Sequence, residues 1–330
     1  MNTAYQETLE TLPLFAPIEP VLEKVLAKMR ASTSIQMELL DEALSHVVAS
    51  GGKLIRPALA ISASCIYREA DDKVISLAAS VEMLHTATLV HDDMIDDSAR
   101  RRGNPTLHTL LDPASAVLLG DYLFAQAATW AAETGCIGVV HIFSETLMTI
   151  VQGELRQMWA KFDLERARED YQARIFGKTA ALFAAACEAS GVLGGAPDPE
   201  VQALREYGRL IGLAFQIVDD VLDYTGDAGR LGKPVGGDLR NGNITLPVIL
   251  YLRHYDRDNL AARYFDDRRL TSQELDDLLR RVSTSPALQD SLTAAQGMVE
   301  EAKATLTHLP SSPHTDRLHE LGDYIVRRTI

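Results

Sequence analysis

At 330 residues with 46% apolar side chains, the chain is long enough to bury a sizeable core, and only 6% of it is aromatic. Asp and Glu outnumber Lys and Arg by 46 to 32, a net charge of −14. That excludes a broad nucleic-acid surface, because phosphate binding needs accumulated cations. Three widely spaced cysteines, Cys65, Cys136 and Cys187, have no C-x-x-C pairing. They suit reduced thiols in a cytoplasmic protein and indicate no zinc site. The N-terminus lacks a basic segment followed by a long apolar stretch, so no signal peptide is expected.

In chain order, Pro20 and Ala31–Ser34 bracket a first amphipathic helix, and a second runs through IQMELLDEALSHVVAS to the glycine stop at Gly51-Gly52. Helical patterns continue over about 56–69, 72–98, 113–133, 137–160, 165–190, 199–225, 243–254, 272–282, 286–307 and 314–328. Gly103-Asn104-Pro105, Asp112-Pro113, Gly135, Gly194–Pro199 and Pro310-Ser311-Ser312-Pro313 punctuate them. Ala- and Leu-rich windows dominate and alternating runs are nearly absent, which predicts an all-α fold. No Pro/Ser-rich linker marks a seam, so residues 1–330 read as one domain. The longest apolar stretch, VISLAASVEMLHTATLV, carries Glu82 and His85 and reads as a buried core helix, not a membrane span.

Two acidic clusters carry the chemistry: Asp92, Asp93, Asp96 and Asp97 in HDDMIDD, and Asp219, Asp220 and Asp223 in IVDDVLDYTGD. Each repeats carboxylates at i, i+1 and i+4, and residues four apart share one helix face at about 6 Å. One such cluster alone is as readily a solvated face. Two, both flanked by apolar helix, call for a compensating cation, and hard oxygen ligands favour Mg²⁺. The EF-hand loop spacing is absent. Arg100, Arg101 and Arg102 follow the first cluster, and Lys53 and Arg56 stand where a glycine turn enters a helix, a place that favours anions. Together they imply one anion pocket reached through metal and one reached by direct contact. His85 lies two turns before Asp92 and fits either a structural role or donation to a bound anion. Gln216 precedes Asp219 by three residues, and Lys178-Thr179 opens an apolar run. The segment from Gly226 to Asn243 holds six glycines with Lys233 and Asp238 and reads as an active-site lid.

The ordered motifs GGKLIRP, EMLHTATLVHDD, RRGNPTLH, GKTAALF, GLAFQIVDDVLD and GKPVGGDLRNGNITLP resemble the trans-isoprenyl diphosphate synthases, particularly the long-chain octaprenyl or solanesyl-like group, over about residues 10 to 328. The resemblance implies an all-α, isoprenoid-synthase-type helical bundle around a deep central cavity, a homodimer, and condensation of isopentenyl diphosphate with an allylic diphosphate. By position, Asp92, Asp96 and Asp219 would be the principal magnesium ligands, with Asp93 and Asp223 supporting. Arg101, Lys178 and Lys233 would neutralise the allylic diphosphate, while Lys53, Arg56, His85 and Arg102 would hold that of isopentenyl diphosphate. Thr179 and Gln216 would face the developing allylic cation. The departing diphosphate takes the proton in this family, so no protein base is named.

The chain departs from the family pattern at Leu54, where many members carry Arg, and at Asn243, where many carry Lys. Leu84, Ala87 and Thr88 precede the first cluster on its helix and are expected to line the cavity below the metals. Short-chain members place bulky aromatics there; Ala87 and Thr88 are small, which predicts a long product stopped deeper, with Phe124 or Trp130 as candidates. A geranylgeranyl diphosphate synthase of shorter output and a subunit of a heteromeric synthase are the alternatives. Membrane contact is expected to be peripheral at most, for product release.

Overall fold

The computed structural model describes residues 13–49, 52–101, 103–225, 236–267 and 270–327, and the expected all-α class is what they form. A 3-10 turn, Pro13–Ile18, leads into α1 (Glu19–Ala31), α2 (Glu38–Ala49), α3 (Ile55–Cys65) and α4 (Asp72–Ile95). A hairpin of β1 (Arg100–Arg101) and β2 (Asn104–Pro105) and the short α5 (Leu107–Leu110) precede α6 (Pro113–Glu133) and α7 (Ile137–Ala160). Next come α8 (Leu164–Ile175), a π-helical turn at Phe176–Ala180, α9 (Ala181–Gly194) and α10 (Asp198–Thr225). The rest is α11 (Gly237–Arg240), α12 (Leu246–His254), α13 (Leu260–Asp267), α14 (Ser272–Ser283), α15 (Ala287–Thr305) and α16 (Pro313–Arg327).

The chain forms two compact units. The first comprises Met1–Glu145, Leu182–Arg205 and Leu306–Leu321; the second comprises Thr146–Ala181, Glu206–Thr305 and Gly322–Ile330.

In the first unit, α4 is the central element. Asp71 starts it by accepting N–H bonds from Lys73 and Val74, both at 3.1 Å, which satisfies two donors that a helix start leaves open. From Val74 to Leu84 every side chain is buried, so the helix has no polar face along this stretch and belongs in a core. It is long and apolar enough to cross a membrane by composition, yet 78% of its apolar window is buried inside the fold, in keeping with the core-helix reading. The antiparallel α6 packs on it. Ser80 Oγ donates to the Ala127 carbonyl at 2.8 Å, and at the other end the His91 ring lies 3.2 Å from the Val117 carbonyl. Ala78, Ala87, Ala116 and Ala127 are fully buried along this seam, and a Cβ on Gly120 would collide with the His91 ring.

In the second unit, α7 meets the π-helical turn backbone to backbone. A Cβ on Gly153 would sit 2.7 Å from the Gly177 carbonyl carbon and the Lys178 nitrogen. The single helix expected over 165–190 is therefore three pieces, because the chain widens where Gly177 crosses Gly153. Val221, Tyr224, Leu239, Ile244, Val248 and Tyr251 join one apolar cluster that fixes the end of α10 against α11 and α12.

Other boundaries also shift. The helix expected from 243 starts at Leu246, and α13 is an addition: the Asp256 carboxylate accepts from Leu260, Ala261 and Ala262 N–H at 3.0, 3.2 and 3.3 Å. The helix expected to reach 98 stops at Ile95 because Asp97 takes a left-handed φ of 49°. Ser98 N–H then bonds the Asp93 carbonyl at 2.8 Å and Asp97 N–H that of Met94 at 3.3 Å, the paired closure of a helix C-terminus.

Candidate active site

The end of α4 places the first acidic cluster. Asp92 and Asp93 are helical, Asp96 is the C-cap residue, and Asp97 is already beyond the helix. Asp92 is half-buried and Asp93 is buried, but Asp96 and Asp97 are exposed. The chain turns at Asp97 before the apolar helix can shield them.

Asp93 points inward to Arg101. The Arg101 Nε donates to both carboxylate oxygens, at 2.8 and 3.0 Å, and Nη2 lies 2.8 Å from Oδ1. A tight hairpin presents that guanidinium. Gly103 supplies a φ of 81° at its tip, Arg100 Nη1 donates to the Gly103 carbonyl at 2.9 Å, and Thr106 Oγ1 ties back to the Ser98 carbonyl at 2.7 Å. His85, Asp93 and Arg101 share one cleft with Glu82, His46 and Thr106. Its described lining includes neither Lys53 nor Arg56. Lys53 is exposed, just before Leu54, which is buried with a left-handed φ of 51°. Arg56 is buried, its guanidinium carbon 4.5 Å from the centre of the Phe183 ring. Arg102 and Lys233 lie outside the described residues.

Of the chain-length candidates, Leu84 and Ala87 are buried in the first unit, and half-buried Thr88 donates its hydroxyl to the His85 carbonyl at 2.7 Å. Phe124 packs beside His91, ring centroids 5.1 Å apart, and so lies level with the residue preceding the first cluster. Trp130 lies further along α6, buried beneath Lys28 at 5.5 Å, and is the deeper of the two.

The second cluster differs. Asp219, Asp220 and Asp223 are all inside α10. Asp223 reaches the start of α11, where its two oxygens accept from Gly237 N–H at 3.2 Å and Asp238 N–H at 3.1 Å. Asp220 is buried and accepts from Tyr171 Oη at 2.8 Å and Gln216 Nε2 at 2.9 Å. Gln216 Oε1 in turn accepts a short hydrogen bond from the Thr179 hydroxyl. The structure thus joins Thr179 and Gln216 in one network ending on Asp220. Burial first, then the charges of Asp238 and Asp219, push the Asp220 carboxyl up to about 8, against the opposing Gln216 and Tyr171 bonds. Lys178, in the π-helical turn, places its Nζ 3.2 Å from the Glu154 carboxylate of α7.

Asp92, Asp96 and Asp219 offer carboxylate oxygens only, which fits a hard dication. Among the described residues no three acidic, His or Cys side chains gather around one point. Sequence reasoning missed Tyr171, Arg174 and Glu154 as neighbours of the site. Tyr171 lies one helical turn plus three residues before Lys178, and that spacing was the available signal.

A sequence profile described as "Polyprenyl synthetase" matches residues 37–282. The chain belongs to the polyprenyl synthetase family. This polyprenyl synthetase is a prenyltransferase, 35% identical to a prenyl transferase of Synechocystis over 97% of its own length and 99% of the relative's. Its fold superposes on a decaprenyl diphosphate synthase from Rhodobacter capsulatus with a TM-score of 0.88 at 36% identity, covering 96% of this chain and 98% of the other. A polyprenyl synthase from Caulobacter crescentus, solved with calcium and isoprenyl diphosphate, matches with a TM-score of 0.90 at 34% identity, covering 96% and 97% of the two chains.

Proposed function

We propose that this chain is a Mg²⁺-dependent synthase of a long-chain all-trans polyprenyl diphosphate, adding isopentenyl diphosphate repeatedly to an allylic diphosphate such as farnesyl or geranylgeranyl diphosphate. The observation that carries this reading is the end of α4, which bears Asp92 and Asp96 on either side of Asp93 in sequence, while the Asp93 carboxylate fixes the Arg101 guanidinium with bonds of 2.8 and 3.0 Å. Carboxylates alone would repel a diphosphate. Carboxylates beside an anchored cation suit an anion that arrives with dications.

When bound, Mg²⁺ neutralises the diphosphate and makes it a competent leaving group. By their positions in the family motifs, Asp92, Asp96 and Asp219 would hold that assembly, and Arg101 and Lys178 would add direct charge, with Lys233 as a further candidate. Asp93 acts through Arg101. Lys53, Arg56, His85 and Arg102 hold the second diphosphate, that of isopentenyl diphosphate. As the allylic C–O bond breaks, its electron pair leaves with the diphosphate, and oxygen dipoles at Thr179 and Gln216 face the cation. The isopentenyl double bond then closes the new C–C bond, and the proton lost passes to the departing diphosphate.

The small, buried Ala87 and the decaprenyl synthase relative support a long product. A homodimer is supported by α7, which exposes Met148, Val151, Leu155 and Met158 at intervals of three and four residues, an apolar stripe suited to a second copy. We place the enzyme in the cytoplasm, with peripheral membrane contact when the apolar product leaves. The test is the product distribution of the purified protein with Mg²⁺, radiolabelled isopentenyl diphosphate and farnesyl or geranylgeranyl diphosphate. A long polyprenol ladder is expected. A single geranylgeranyl product would shift the reading to a short-chain synthase, and no incorporation would contradict an autonomous enzyme.

A further inference from the structure

The last turn of α4 carries the first acidic cluster, and a helix end is where backbone bonds run out and the chain frays. Asp96 N–H bonds the Asp92 carbonyl at 2.9 Å, and Asp97 and Ser98 close the end behind it. Carboxylates that hold a metal need a steadier backbone than that, because a misplacement of about 1 Å can cost about 10²-fold in rate. One side of the turn is fixed by the bonds between Asp93 and Arg101 of the hairpin.

The other side is held by a residue to which no step above gives a task. His91 immediately precedes Asp92, and its half-buried ring enters a notch in α6. Gly120 makes the notch, since a Cβ there would come within 2.6 Å of the ring Cδ2 and 3.0 Å of Cε1. Phe124, one turn further along α6, packs on the ring with centroids 5.1 Å apart and planes inclined by 51°. The His91 Nε2 lies 3.2 Å from the Val117 carbonyl and 3.6 Å from the Asp121 carboxylate. Both are acceptors, so Nε2 carries a proton and donates it. An imidazole does this whether neutral or cationic, and the anchor therefore does not depend on titration.

Helix geometry relates the two anchors. At about 100° per residue, Asp93 points about 200° around the axis from His91, and Asp92 and Asp96 fall between them at about 100° and about 140°. The turn is pinned on opposite sides, with the two carboxylates between the pins. Neither pin is local: one comes from the hairpin and the other from α6.

We propose that His91 is a positioning residue for prenyl transfer: seated in the Gly120 notch of α6, it fixes the rotation of the last turn of α4 and so the directions in which Asp92 and Asp96 present their oxygens to Mg²⁺. This rests on the reading of the first cluster as the metal-holding part of the prenyl-transfer site.

The test compares His91→Ala, Gly120→Ala and the double variant in the full-length protein. The readouts are hydrogen exchange of residues 90–98 without metal, thermal midpoint, and turnover across a Mg²⁺ titration. His91→Ala is expected to speed exchange of that segment about tenfold, as a loosened helix end does. It should also raise the Mg²⁺ concentration for half-maximal turnover about tenfold, with KM for isopentenyl diphosphate changed less than about twofold. Gly120→Ala drives the ring out of the notch and is expected to reproduce both shifts. In the double variant the new methyl group occupies space the ring has left. Its thermal midpoint is expected to return towards wild type while the fast exchange and the raised Mg²⁺ requirement remain. His91→Gln, whose amide nitrogen can donate to the same carbonyl, is expected to stay within about threefold of wild-type turnover. Recovery of turnover by the double variant would reduce His91 to a space filler and overturn the proposal, as would unchanged exchange or an unchanged Mg²⁺ requirement in His91→Ala. If Gly120→Ala alone does not fold, a folded double variant supports the notch and an unfolded one overturns it. Exchange is read without metal whether or not the wild type makes prenyl product, so failure of the functional reading is distinguishable from failure of this one.

Discussion

The two acidic clusters share one spacing and differ at every partner. In the first unit, α4 ends inside the cluster, so Asp96 caps the helix and is exposed, while the buried Asp93 has a charged partner in Arg101. In the second unit, α10 runs through the cluster. Asp223 is committed to two backbone N–H groups of α11, and the buried Asp220 is bonded by Tyr171 and Gln216. Equal spacing places the carboxylates on equivalent helix positions, but the partner on the next segment decides whether a carboxylate serves a ligand or the protein. The inward-facing member is i+1 in both clusters, and the i+4 members are not equivalent.

The largest expected effect comes from Asp92→Ala or Asp219→Ala. Steady-state turnover should fall at least about 10²–10³-fold, the loss seen when a group that stabilises developing charge is removed. Circular dichroism should be unchanged, because both side chains are only half-buried. Near-normal rates at limiting Mg²⁺ would break the equivalence of the two i positions. Next, the i+1 members should respond oppositely to neutralisation. Asp93→Asn leaves Arg101 without its charged acceptor and should cost about 1.5–3 kcal/mol in denaturant unfolding, the scale of a hydrogen bond to a charged group. Asp220→Asn should instead raise metal-free stability above neutral pH.

The pH dependence gives the same contrast a sign. The Asp220 carboxyl titrates near 8 in the fold, raised chiefly by burial, and near about 4 when unfolded. Its contribution is therefore fully present below the unfolded value and is lost as pH rises through the folded one. Metal-free wild-type protein should lose stability progressively between about pH 4 and about pH 8, and Asp220→Asn should flatten that slope in thermal unfolding. A slope unchanged by the substitution would assign the pH dependence to another group. The smallest expected effect on rate is that of Ala87→Phe, which should shorten the product. An overpacking penalty of about 1–3 kcal/mol is expected because Ala87 is fully buried.

Much of this was legible in the sequence. The apolar run of α4, the helices 113–133 and 137–160, and the acidic clusters follow from local periodicity and turn residues, and Asp112 caps α6 by accepting from Ser115 N–H at 3.1 Å. What was not legible depends on contacts distant in sequence. The π-helical turn exists because Gly177 meets Gly153, and nothing local to FGKTA announces it. The ion pair of Asp93 with Arg101 was not legible, because Arg101 is delivered to it by a hairpin that turns at Gly103. Nothing local to Arg174 announces its burial, which depends on Tyr171 and on the Ile244 carbonyl seventy residues away.

The most direct measurement is turnover of Asp96→Ala beside Asp223→Ala across a Mg²⁺ titration, with thermal unfolding of both. Asp96→Ala should lose at least about 10²-fold in kcat with an unchanged midpoint. Asp223→Ala should stay within about tenfold of wild type while losing about 0.5–2 kcal/mol of stability, as expected of a helix cap. Equal losses of turnover in the two variants, with equal midpoints, would contradict the division between a ligand in the first cluster and a cap in the second.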